Sequence, residues 1–275
     1  MAQALIATLR SLASDMTPAL ARVAKTVMAH PEATLYQSIT ELAETSRSSE
    51  ASVMRFCRDQ GFSGFQEFKL TLAKEIATDQ RNADSATPAD DIQRLVETAM
   101  VALRETEQLI VRADVESAAR RLLSATFIEC FGVAASAITA QYLAYKMSRI
   151  GRPCRASSDA HLAVMAAGTS KPGSTHVVIS SSGSTIDSVR VAELARRNGG
   201  FVIGVSNRAK SPLAATCDIA LIASWPETPL TGGAFQSKIS QLLIVDALIG
   251  EMGRQDPTCI EMAAQTAGVV SDRNF

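Results

Sequence analysis

The residues with the clearest chemical potential lie between positions 177 and 189. The apolar run Val177-Val178-Ile179 ends in Ser180-Ser181-Ser182-Gly183-Ser184-Thr185, and a helical pattern starts at once with Ile186-Asp187-Ser188-Val189. The hydroxyls supply side-chain donors. Gly183 permits a tight turn that brings backbone N–H groups close to a ligand. A helix beginning at Ser184 or Thr185 aims its positive end at the same point. The combination suits an anion, a phosphate above all. The same residues also build an ordinary capped strand-to-helix turn with no ligand, and their types alone leave both readings open.

Acid–base catalysis would need a carboxylate or histidine of tuned pKa with a partner. Glu227, in Trp225-Pro226-Glu227-Thr228, is the one carboxylate near the last strand end. Asp187 and Glu193 fall on the helix after the serines, and His161 stands alone. No acid is matched with a base, so binding without catalysis is expected. Gly232-Gly233 allows a mobile lid near Lys238, which either meets the anion or sits on the surface. Gly132-Val133-Ala134-Ala135-Ser136 lacks the G-x-G-x-x-G spacing, and no phosphate loop of the G-x-x-x-x-G-K-[ST] type occurs, so no dinucleotide or other cofactor is expected. Five cysteines without a C-x-x-C pair, and three isolated histidines, give zinc no support.

A second constellation lies near the start. Ser38-Ile39-Thr40-Glu41 is a capping box that opens a short helix. A polar turn, Thr45-Ser46-Arg47-Ser48, leads to another helix from about Ser49 to Gln60, closed by Gly61. Val53, Phe56 and Cys57 share one side; Ser49, Glu50, Ser52, Arg55 and Arg58 point mostly elsewhere. Two short helices about a tight turn is the helix-turn-helix layout, in which Arg55 and Arg58 can reach guanine edges or phosphates and Ser49 and Ser52 can bond phosphates. A helical bundle with a solvated outer face fits as well. Residues 1–78 hold eight Lys/Arg and eight Asp/Glu, a zero balance that does not favour strong DNA binding.

The elements that must position these residues follow from periodicity. Helices are predicted over 3–14, from Thr17-Pro18 to Ala29, and from Gly64 to Thr78. Residues 79–91 are polar and carry Pro88, which marks a linker. A helix over 92–111 is the natural coupling element, and Asp114 is expected to cap the next one. From Phe127 onward short strands alternate with helices: strands at 127–131, 154–157, 175–180, 201–206 and 219–223, and a long final helix over 234–252. That alternation predicts an α/β three-layer architecture with a parallel sheet, and places sites at the carboxyl ends of its strands. The domains are therefore expected at 1–78, all-α, and 92–275, α/β. The tail after Asp256 carries only a hint of one more short helix, at Ile260, Met262 and Ala263.

Length and composition agree with such a chain. Of 275 residues 47% are hydrophobic and 20% charged, with a net charge of -1, so no global field draws it to nucleic acid or membrane. Residues 1–12 hold no continuous apolar stretch and no run approaches membrane-spanning length, so a cytoplasmic protein with reduced, buried cysteines is expected.

Ser38-Ile39-Thr40-Glu41-Leu42-Ala43, Ser49 through Arg58, and Gly61-Phe62-Ser63-Gly64-Phe65-Gln66-Glu67-Phe68-Lys69 together resemble the DNA-binding domain of RpiR-type bacterial transcriptional regulators. The resemblance implies that the second helix enters the major groove, with Ser49, Glu50, Ser52, Arg55 and Arg58 as contacts and Lys69 as a phosphate partner. Ser46 and Ser48 replace the small apolar residues more usual there, which predicts looser packing at the turn. Residues 125–253 resemble the SIS (sugar isomerase) domain, a flavodoxin-like fold, through Phe131–Ser136 and Ser180–Thr185. That implies a phosphosugar, with Ser180, Ser181, Ser182, Gly183 and Thr185 around its phosphate, Ser136 on the sugar, and Glu227 available for sugar hydroxyls. The expected protein is a homodimeric or homotetrameric regulator on a palindromic operator, controlled by a phosphosugar effector. An isomerase or amino-sugar etherase with an added helical domain is the alternative.

Overall fold

The computed structural model describes residues 5–13, 16–81 and 91–271. Most of the expected linker, residues 82–90, lies outside them. The chain forms two compact units, one of residues 1–95 with 226–232, the other of 96–225 with 233–275.

The helical unit contains α1 (Leu5–Leu12), α2 (Pro18–Ala29), α3 (Pro31–Tyr36), α4 (Ile39–Thr45), α5 (Glu50–Asp59) and α6 (Phe65–Arg81). Its core is one cluster built on Leu9, Val23, Val27, Leu42, Val53, Phe56, Phe68 and Leu72. Phe68 meets both Phe56 and Phe62 edge to face, with centroids 5.4 and 5.5 Å apart. The capping box of α4 is complete: Ser38 Oγ accepts from the Glu41 N–H, and Glu41 accepts from the Ser38 N–H. Thr17 makes no side-chain cap; Pro18 at the first helical position starts α2 instead.

Between α4 and α5 the chain turns through Arg47 at φ 51°. The expected loosening at Ser46 and Ser48 does not occur. Ser46 is buried, with its hydroxyl 2.6 Å from the Leu42 carbonyl and 2.6 Å from Ser48 Oγ. Arg22 of α2 donates to the Ser46 and Arg47 carbonyls. Hydrogen bonds replace apolar contact at this corner.

The second unit holds most of α7 (Asp91–Leu109), then α8 (Arg112–Ser124), β1 (Phe127–Gly132), α9 (Ala135–Arg149), β2 (Arg155–Ser157), α10 (Ala160–Gly168), β3 (Ser174–Ile179), α11 (Ile186–Arg197), β4 (Phe201–Ser206), α12 (Pro212–Thr216), β5 (Ile219–Ile222), α13 (Phe235–Gln255) and α14 (Thr258–Ser271). The five strands are all parallel in the order β2-β1-β3-β4-β5. One sheet face buries Ile128, Cys130, Val177, Ile179, Ile203 and Val205 with side chains of α8, α9 and α13. The other buries Phe131, Val178 and Val202 with α10, α11 and Leu213 of α12. Helices on both faces explain why the strands read as unbroken apolar runs. Asp114 does not cap α8. The helix starts two residues earlier, at Arg112, and places Asp114 in its first turn. The C-terminal tail forms α14, fixed by the buried Cys259. The five cysteines are free thiols.

Strand order 2-1-3-4-5 reverses direction between β1 and β3, so the loops leaving their carboxyl ends diverge and open a crevice. Those two loops are 132–136 and 180–185.

Candidate functional site

Ser180–Thr185 continues β3 beyond its last strand residue. The Ser180 N–H bonds the Val205 carbonyl and the Asn207 N–H bonds the Ser181 carbonyl, at 3.0 and 3.1 Å, so the β3–β4 ladder runs into the loop. Gly183 then turns the backbone at φ 60°. A Cβ there would stand 2.1 Å from Ser211 Oγ and 2.9 Å from Ser206 Oγ. Only glycine fits this conformation with this clearance. Ser180 Oγ lies 3.1 Å from Thr185 Oγ1 and accepts from the Gly183 N–H, while Ser182 Oγ accepts from the Ser184 N–H. Thr185 is the N-cap of α11 but makes no side-chain cap, and the helix begins at Ile186. The first-turn N–H groups of α11 are left to whatever the loop encloses. Ser180 and Ser181 are buried; Ser182, Ser184 and Thr185 are half-buried.

The loop after β1 closes from the other side of the switch point. A Cβ on Gly132 would lie 2.5 Å from the Ser136 carbonyl oxygen, so strand end and helix start meet backbone to backbone. Ala134 takes φ 51°, ψ -125°, an uncommon conformation for a residue with a side chain. Ser136 is thereby held in the first turn of α9, only 8% exposed.

Behind the serines is a buried polar layer that sequence reasoning largely missed. Lys238 Nζ donates to Ser181 Oγ at 2.7 Å and to Gln241 Oε1 at 3.1 Å. Gln241 Nε2 donates to Ser181 Oγ at 3.1 Å and to Asn207 Oδ1 at 2.7 Å, and Thr139 Oγ1 donates to Gln241 Oε1 at 2.8 Å. Lys238 is therefore no surface residue; it is 8% exposed and Gln241 is fully buried. The buried stripe of α13 is polar in its first turns (Ser237, Lys238, Ser240, Gln241) and apolar only from Ile244 onward. Of the apolar residues of this helix, Val245 and Leu248 are buried and Ile239, Leu242 and Leu243 half-buried. The signal was available as Lys238 and Gln241 three residues apart within an apolar helix, which puts both on one face.

Of the acid–base groups considered in the sequence, Asp187 adjoins this loop in the first turn of α11. His161 is an exposed residue of the first turn of α10. Glu227 belongs to segment 226–232, which packs as part of the helical unit. No group of three or more metal-ligating side chains occurs among the described residues, and none of their helices is long and apolar enough to cross a membrane.

In the helical unit α5 presents Ser49, Glu50, Arg55 and Arg58 as exposed residues and Ser52 as half-buried. Ser49 caps the helix, accepting from the Ser52 N–H at 3.2 Å. Glu50 is tied to Thr40 Oγ1 at 2.5 Å, which fixes α4 against α5. Lys69 is not on this face. It is 4% exposed, donates to the Leu35 and Gln37 carbonyls at 2.8 and 2.9 Å, and lies 5.2 Å from the Phe65 ring centroid. It closes the carbonyl end of α3 from inside the unit. Lys69→Met is expected to leave those two carbonyls short of a donor and to lower stability by about 1–3 kcal/mol, read by denaturant unfolding. The salt dependence of DNA binding should not change.

Comparison with known proteins brings the two units together. Residues 3–79 match the helix-turn-helix domain of the rpiR family and residues 122–250 match the SIS domain. An uncharacterized HTH-type transcriptional regulator of Caldanaerobacter subterraneus is 35% identical over 248 residues, 88% of each chain. The HTH-type transcriptional regulator HexR of Pseudomonas aeruginosa is 31% identical over 249 residues, 89% of this chain and 87% of its own. Among solved structures, the Vibrio vulnificus NanR protein complexed with ManNAc-6P superposes with a TM-score of 0.89 at 35% identity, over 97% of this chain and 98% of that one.

Proposed function

Since the chain belongs to the rpiR-family helix-turn-helix transcriptional regulators that carry a SIS domain, we propose that Ser180–Thr185 grips the phosphate of a phosphosugar and that occupancy changes the protein's hold on an operator. The observation that carries this reading is the loop at the β1/β3 switch point. There Ser180, Ser181, Ser182 and Thr185, the turn at Gly183 and the uncapped start of α11 converge, with the buried ammonium of Lys238 bonded to Ser181. Ser136, held across the switch point, is assigned to the sugar.

In the helical unit we assign Ser49, Glu50, Ser52, Arg55 and Arg58 of α5 to DNA. Residues 1–78 are read as the DNA-binding domain, 79–91 as the linker and 92–275 as the sensor. A homodimer or homotetramer on a palindromic operator, in the cytoplasm, completes the reading. The side chains bonded to Ser181 are an ammonium and an amide. Both donate to its hydroxyl and hold it in place, and the similar chains are named transcriptional regulators, which supports a sensor over an enzyme.

The amino-sugar phosphate bound by the NanR protein is the first ligand to try. Thermal unfolding with N-acetylmannosamine 6-phosphate, other sugar phosphates and each parent sugar tests the reading. A ligand that binds only the folded state at 100 times its Kd adds about 2.7 kcal/mol. One phosphorylated member should raise Tm by several degrees, its parent sugar should not, and Ser182→Ala should remove the shift. A rise that survives Ser182→Ala would place the ligand elsewhere.

A further inference from the structure

We propose that Gln241 is the positioning residue of this cradle and the head of a buried hydrogen-bonded path, through Asn207 and Ser224, by which phosphate occupancy is felt at α7. The inference rests on the phosphosugar reading above and adds how the site is coupled.

Gln241 spends its whole hydrogen-bonding capacity inside the protein. Its Oε1 accepts from Thr139 and Lys238, and its Nε2 donates to Ser181 and Asn207. An amide with both lone-pair sites and both hydrogens engaged has one orientation. It joins α9, α13 and the loops after β3 and β4. Asn207, 5% exposed, passes the connection on: its Nδ2 donates to the Ser224 carbonyl. Ser224 follows β5, and both its remaining groups point to α7. Its N–H donates to Thr106 Oγ1 at 3.0 Å and its hydroxyl to the Glu105 carboxylate. Thr106 is fully buried and donates in turn to the Ala102 carbonyl at 2.7 Å. Ser240, one position before Gln241, also bonds the Ala102 carbonyl.

The route therefore runs from the cradle to α7 through Gln241, Asn207, Ser224 and Thr106, all buried, while Glu105 at its far end is exposed. A buried polar group that loses its partner bears its full desolvation cost, so displacement at one end is passed on and is not compensated by solvent. Occupancy supplies the displacement. Ser181 Oγ already accepts from Lys238 and Gln241, so its own hydrogen remains to donate to an anion. A phosphate taking that hydrogen also draws on the Lys238 ammonium, the group that now bonds Gln241. The load on Gln241 Oε1 changes, and Asn207 and Ser224 carry the change to Glu105 and Thr106.

The test is amide hydrogen exchange of α7 in the full chain, with β1 as the reference for global stability. Gln241→Glu keeps both acceptor bonds but cannot donate to Ser181 or Asn207. Thr106→Val keeps the shape of Thr106 and removes the bond to Ser224. Without ligand, both should speed exchange at residues 102–109 about fivefold or more relative to β1, while Ser182→Ala, off the path, should not. Saturating N-acetylmannosamine 6-phosphate should slow the same amides in wild type. It should not do so in Thr106→Val, although calorimetry finds its affinity within about threefold of wild type. Unchanged α7 exchange in both ligand-free path variants, or equal slowing in wild type and Thr106→Val, overturns the inference. Absence of calorimetric binding to wild type by this and every other sugar phosphate of the thermal panel would instead strike the phosphosugar reading, and the occupancy coupling with it.

Discussion

Gly183→Ala is expected to abolish phosphosugar binding and to destabilise the α/β unit by about 2–4 kcal/mol. The left-handed backbone at φ 60° costs a residue with a Cβ about 1–2 kcal/mol. The new methyl also falls 2.1 Å from Ser211 Oγ, which must move. Ser211 is not idle: its hydroxyl donates to the Arg208 carbonyl and caps α12 by accepting from the Ala214 N–H. Displacing a serine N-cap costs about another 1 kcal/mol. At about 2–4 °C per kcal/mol for a unit of this size, the unfolding transition should fall by about 5–15 °C. Because the loop must open to admit the methyl, its donors spread and the thermal shift with ligand should vanish. Gly250→Ala is the control with opposite sign: it lies in α13, its Cβ would meet nothing within 4 Å, and alanine in a helix interior gains about 0.5–1 kcal/mol over glycine. Equal behaviour of the two variants would mean that the tight turn at Gly183 is not needed by the site.

What the sequence showed and what it hid divide along a physical line. The α/β alternation, the parallel sheet and the two switch-point loops were legible, because buried parallel strands leave apolar runs and their loops begin with glycine and hydroxyl residues. The capping box at Ser38 was legible because it is local. α3 was not: the periodicity ends the helix from Pro18 at Ala29 and offers nothing after it, whereas Pro31 opens a new helix after a one-residue break at His30, φ -138°. Lys69, which the family resemblance offers as a phosphate partner, falls four residues after Phe65 and three before Leu72, on the buried face of α6. Asn207 and Ser224 were missed for a deeper reason. Their roles exist only where α13, β4 and β5 meet, and no spacing along the chain records that meeting.

Arg55→Ala combined with Arg58→Ala should weaken operator binding about 100-fold or more, without loss of fold. Both side chains are exposed on α5, while the same helix is anchored by the buried Val53, Phe56 and Cys57. Removing the two guanidinium groups therefore costs no core contact. The helical region carries no net charge to compensate, with eight basic and eight acidic residues in 1–78. Individual contacts must then supply the affinity that a general positive field supplies elsewhere. An arginine on a base edge contributes about 1–3 kcal/mol, and one on a phosphate contributes about one unit to the slope of log K against log salt. Anisotropy titrations of a promoter fragment at several salt concentrations separate the cases. Loss concentrated on the cognate sequence assigns the arginines to bases. A uniform loss, with a slope about two units shallower, assigns them to phosphates. Glu50 gives the opposite sign. It is held beside this face by Thr40, and Glu50→Gln removes a negative charge that repels the backbone, so affinity for unrelated DNA should rise. If the arginine pair and Glu50 all leave binding unchanged, α5 does not face the DNA, and the helix-turn-helix serves another contact.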